Sequence, residues 1–175
     1  MAIGIVLPFF TGQIQQIGNM LLPMHLPVML CGMICSWRHG ATVGATLPLL
    51  RSLMFGMPVL FPNALAMAFE CATYGFLVGF LFEKVKRRSL ISVYACLIAS
   101  MLAGRAVWGT VMLAFMGMGG RIFTFSAFLA GAFTNAVPGI IAQLVIIPSV
   151  ILVIETAQNK KIGTHNDSAD TVEEK

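Results

Sequence analysis

The stretch Leu90-Ile-Ser-Val-Tyr-Ala-Cys-Leu-Ile-Ala-Ser-Met-Leu-Ala-Gly-Arg-Ala-Val-Trp-Gly-Thr-Val-Met-Leu-Ala-Phe-Met116 carries a single charged side chain, Arg105. A helix needs about 20 apolar residues to cross the hydrocarbon core of a bilayer, and this run is long enough to cross at a tilt. The rest of the chain has the same character. Of its 175 residues 58% are hydrophobic and only 10% are charged, against roughly 25% charged in an ordinary soluble domain, and the mean hydropathy is +0.87. Long runs without a polar face fit lipid-facing surface. The expected fold is an all-α integral membrane protein.

Turn residues divide the chain into six spans. Ala2 to Phe10 is roughly half of a full crossing, and a polar loop from Thr11 to Asn19 follows it. The other spans run from about Leu21 to Trp37, Gly40 to Phe55, Ala64 to Phe82, Leu90 to Met116 and Phe125 to Ile154, with a proline-rich loop, Gly56 to Asn63, after the third. The reading is a bundle of six transmembrane helices with a short first one. Residues 1–155 are expected to form one transmembrane domain. Residues 156–175, where Asp167, Asp170, Glu173 and Glu174 replace the apolar runs, form a disordered cytoplasmic tail.

The formal net charge of +4 does not point to nucleic acid, because the basic residues fall in short clusters between spans rather than along one face. Arg38 and His39 join spans two and three, Lys84, Lys86, Arg87 and Arg88 join four and five, and Lys160 and Lys161 follow six. Basic residues favour the cytoplasmic side, so a multi-pass protein with both termini cytoplasmic is expected.

Three charges lie within spans: Arg51, Glu70 and Arg105. A charge in the membrane costs a few kcal/mol or more and should face protein or a watery cavity. Two arginines against one carboxylate leave a positive charge that an anionic ligand could balance; a plain Arg–Glu pair holding helices together is the simpler alternative. Polar loop residues, with Asn19 and Asn63 among them, stand beside the apolar Met54, Phe55, Met57 and Phe61, a mixture that suits an organic ligand with a polar end. His25, between Pro23 and Pro27, is a secondary candidate, and Asn135 is the outermost buried amide of the sixth span. The substrate-binding candidates are therefore Arg51, Glu70, Arg105, Asn63, His25, Asn19 and Asn135. Gly40, Ala41, Gly44 and Ala45 repeat at i, i+4 and permit close helix approach, either within the chain or toward a partner subunit.

Cys31, Cys35, Cys71 and Cys96 all lie in apolar stretches, as small hydrophobes do, and no zinc-like spacing accompanies them. Paired carboxylates, a nucleophile elbow and a phosphate-binding loop are also missing from the sequence. No enzyme activity, metal or cofactor is expected, and any ATP-driven work would belong to partners.

The stretches Thr11-Gly-Gln-Ile-Gln-Gln-Ile-Gly-Asn-Met-Leu-Leu-Pro-Met-His-Leu-Pro-Val-Met-Leu-Cys-Gly32, Pro48-Leu-Leu-Arg-Ser-Leu-Met-Phe-Gly-Met-Pro58 and Ala66-Met-Ala-Phe-Glu-Cys-Ala-Thr-Tyr-Gly75 resemble the S components of energy-coupling factor (ECF) transporters. The similarity spans roughly Leu7 to Ile154. It implies a six-helix, membrane-embedded subunit of the bacterial cell membrane that captures a vitamin or related micronutrient from outside, pantothenate being one anionic possibility. Its implied partners are the lipid bilayer, a membrane coupling subunit and two cytoplasmic ATPases. Arg51 and Glu70 fall inside the resembling motifs, whereas Arg105 rests on the membrane argument alone. The rival reading is an autonomous small-solute channel or facilitator. Family members carry a complete first helix that helps dock the coupling subunit. This chain begins partway along it, so an upstream start, or docking through the Gly40 to Ala45 face, is expected.

Overall fold

A computed structural model of the chain describes residues 5, 24–56, 58–85, 89–118, 137, 139–154 and 156. The described residues form helices α1 (His25–Cys35), α2 (Trp37–Phe55), α3 (Leu65–Lys84), α4 (Leu90–Met118) and α5 (Gly139–Ile154), and no strand occurs among them. Leu60–Lys84 and Leu90–Gly117 are long and apolar enough to cross a membrane. Their outward side chains, such as Phe69, Ile91, Leu102 and Leu113, are apolar and exposed, as a lipid-facing surface requires. Of the expected first span only Ile5 is described, packed against Met24, Val28, Leu47 and Cys71. The short-helix expectation, the amino-terminal start, the 11–19 loop and the tail from residue 157 lie outside the described residues.

The helix limits depart from the sequence reading in two places. Arg38 and His39 were expected in a loop, but α1 and α2 are joined through Ser36 alone, so both side chains lie in the first turn of α2 and are exposed. Ser36 makes the corner with φ 132° and ψ 156°. The proline-rich segment is also partly wound. A wide turn at Leu60–Ala64, with Phe61 extended at φ −121° and ψ 131°, leads directly into α3. Gly56 closes α2 in the left-handed region (φ 68°), its N–H donating to the Ser52 carbonyl at 2.9 Å. Glycine reaches that conformation without a Cβ clash. Gly56→Ala is therefore expected to lower stability by about 1 kcal/mol, read as a shifted thermal midpoint in detergent, although nothing stands within 4 Å of the added methyl.

Glycine sets the close packing of the first three helices. A Cβ on Gly32 would lie 2.5 Å from the Gly75 carbonyl, one on Gly40 would lie 2.6 Å from both the Gly32 Cα and the Gly75 carbonyl, and one on Gly44 would strike the Cys71 carbonyl. Backbone-to-backbone approach of this kind is how helices associate where no hydrophobic effect drives them together. Gly40 and Gly44 are buried inside the bundle against α3, while Ala41 and Ala45 beside them are half-buried. Pro48 is buried within α2. It supplies no N–H to the Gly44 carbonyl one turn back.

A larger core joins α1, α3, α4 and α5 through Met29, Met33, Tyr74, Val78, Phe82, Leu97, Met101, Ile147 and Ile151. Cys96 belongs to it and Cys71 to the smaller cluster, and all four cysteines are free thiols.

Candidate functional site

The helix crossings fix where the charged residues meet. Gly44 is level with Cys71 and Gly40 with Gly75 across the antiparallel α2 and α3, and α4 returns alongside α3. Glu70 stands in the second turn of α3 and Arg105 halfway along α4, so the chain brings these two together in the half of α3 away from Lys84.

Glu70 is 2% exposed, and three side chains from three helices converge on its Oε1. Arg105 Nη1 lies 3.1 Å away. The Tyr74 hydroxyl, one turn along the same helix face, donates to it at 2.8 Å. His25 Nε2, from the first residue of α1, stands at 3.8 Å, beyond hydrogen-bond range. The His25 ring packs edge-on to Tyr74 with centroids 5.1 Å apart. Gly104 makes room for this arrangement, since a Cβ there would collide with the Tyr74 ring. His25, Tyr74 and Arg105 are all buried. Glu70 is thereby both the counter-ion of a buried guanidinium and the tie between α1, α3 and α4.

Of the expected site residues, the structure gathers Glu70, Arg105 and His25 into one cluster and leaves Arg51 apart from it. Arg51 lies seven residues beyond Gly44 on α2, level with Ala64 and ~9 Å along the axis from Glu70 toward the far end. It is half-buried, and its buried Nε has no hydrogen-bond partner among the described residues. Asn63 is exposed in the wide turn before α3, and Asn19 and Asn135 lie outside the described residues. Tyr74 was missed by the sequence reading; its i, i+4 spacing from Glu70 was the available signal.

Arg105 also faces a recess of about 240 Å³ on the α4–α5 seam, where its companions are Ile98, Met101, Leu102, Ile140 and Leu144. One guanidinium therefore separates a polar cluster from an apolar space. Near that seam Gln143 is buried with its Nε2 unpartnered among the described residues. Among the described residues no group of three or more His, Cys, Asp or Glu side chains could hold a metal ion.

Apolar helices with lipid-facing exteriors and a charged cluster enclosed between them define an all-α membrane protein. The chain belongs to the S components of ECF transporters: residues 1–151 match the family described as ECF transporter, substrate-specific component. It is thus the substrate-specific subunit of a transporter, with a small-molecule substrate and the membrane-embedded ECF module as partners. No curated protein and no solved structure matches the chain.

Proposed function

We propose that the protein captures an organic micronutrient with an acidic group from outside the cell and yields it to a membrane coupling subunit driven by two cytoplasmic ATPases. The observation that carries the acidic group is the charge balance. Glu70 is taken up by Arg105, Tyr74 and the nearby His25, while the buried Nε of Arg51 has no partner among the described residues. A carboxylate is the ligand group that a guanidinium recognises best. Pantothenate is one micronutrient that carries such a carboxylate. Asn63, Asn19 and Asn135 are retained as further polar contacts, and Ala41 and Ala45 as the part of the α2 face that could meet the coupling subunit.

Mass spectrometry of small molecules that copurify with the protein in detergent tests the substrate class directly. Loss of a charged hydrogen bond is worth about 1.5–3 kcal/mol, so Arg51→Gln is expected to reduce the retained acid by roughly 10- to 100-fold. Arg38→Gln, at the opposite end, is expected to retain it. A copurifying ligand without an acidic group, or equal retention in Arg51→Gln, would overturn the assignment. Liposomes that contain this protein alone should show no net flux; ATP-independent flux would favour the channel reading.

A further inference from the structure

The basic end of the bundle carries a ladder of cations and rings that the substrate site does not use. The Arg38 guanidinium lies over the Trp37 ring, 5.1 Å from its centroid. Trp37 meets Phe76 edge-on at 5.2 Å, Phe76 stacks on Phe80 at 5.7 Å, and the Lys84 ammonium sits 4.3 Å from the centroid of Phe80. Arg38 and Lys84 are exposed, and neither has an ion pair with a carboxylate among the described residues. Glu83 neighbours Lys84 in sequence, but no ion pair joins the two among the described residues.

We propose that this edge of α2 and α3 is a binding site for an anionic phospholipid. A guanidinium or an ammonium held over one ring face still has N–H donors that point away from the ring. Ring contact therefore holds both cations in place while leaving them able to grip a phosphate. Trp and other aromatic side chains at the end of a spanning helix sit at the membrane–water boundary, which is where lipid headgroups lie. The surface continues in the right direction for the rest of the molecule. From Lys84 the exposed side of α3 runs back through Phe80 and Phe76 to Phe69, an apolar track for an acyl chain leading away from the charge. An acidic protein helix would match the cations but not that track.

Native mass spectrometry of the detergent-solubilised protein, titrated with phosphatidylglycerol or phosphatidylcholine, tests the site. Phosphatidylglycerol adducts should be retained in preference to phosphatidylcholine, and the preference should fall with added salt. Each basic residue near an anionic surface contributes enough to change binding about fivefold, so Arg38→Gln and Lys84→Gln should each lower the preference by that factor and the pair by about 30-fold. Both positions are exposed, and an unchanged thermal midpoint would verify that the variants fold. Trp37→Leu combined with Phe80→Leu keeps both charges and should also weaken the preference, because the cations lose their support. Equal adducts of the two lipids on the unaltered protein would overturn the proposal, as would a preference that persists in the double charge variant or in the ring variant. Binding of the coupling subunit lost in the double charge variant, with no lipid preference in the unaltered protein, would reassign the surface to a protein partner.

Discussion

Glu70→Ala is expected to destabilise the protein by about 3–5 kcal/mol, the cost of leaving a buried charge without its counter-ion. Arg105 is only 7% exposed and its Nη1 relies on Glu70 Oε1 at 3.1 Å. The same substitution strands the Tyr74 hydroxyl, which donates to that oxygen. Because the pair was brought out of water at a cost comparable to its attraction, removing both charges should be far milder than removing one. Glu70→Leu with Arg105→Met is therefore expected to recover most of the lost stability. Glu70→Gln, which keeps an oxygen for Tyr74 but not the charge, should fall between. Thermal unfolding of the four proteins in detergent measures this. A Glu70→Ala midpoint equal to that of the unaltered protein, or a double variant no more stable than Glu70→Ala, would show that the ion pair does not hold the bundle.

That pair shows how far the sequence reading reaches. Glu70 and Arg105 were legible as functional or structural charges because each interrupts an apolar run, and the cost of burying a charge in a membrane forces a partner. Which arginine would be the partner was not legible. The answer depends on helix register, and register is set by the Gly40–Gly75 and Gly44–Cys71 approaches, which put Arg51 ~9 Å beyond Glu70. Tyr74 was hidden for a different reason: tyrosine in an apolar run reads as packing until a carboxylate is found one turn away on the same face. The glycines of α2 were recognised as points of close approach, but a short pattern cannot say whether the approaching backbone belongs to the same chain. The spans of α2, α3 and α4 were legible to within a few residues, since hydropathy dominates there. The corner at Ser36 was not, because Arg38 and His39 read as loop residues yet can extend from the first turn of a helix into the interface.

Gly75→Ala is expected to be among the most damaging small substitutions in the chain. An added Cβ would collide with the Gly40 carbonyl and lie 2.9 Å from the Gly40 Cα. Backbone atoms cannot rotate aside as a side chain would, so α2 and α3 must separate. The separation spreads, because the Gly75 carbonyl is itself in the contact with Gly32 of α1. Overpacking costs typically 1–3 kcal/mol, and here two neighbouring helices must yield at once, so a loss of about 3 kcal/mol is expected. Gly117→Ala provides the contrast. It lies on α4 with nothing within 4 Å among the described residues, and there alanine should be neutral or stabilising by up to about 1 kcal/mol through helix propensity. The two methyl additions should therefore move the thermal midpoint in opposite directions or by very different amounts. Displacing α2 also carries Arg51 away from α3, so on the proposed role of Arg51 Gly75→Ala should lose copurifying ligand even at temperatures where it remains folded, whereas Gly117→Ala should keep it. Equal midpoints for the two variants would mean that the three helices do not cross at these glycines, and the placement of Arg51 relative to Glu70 would fall with them.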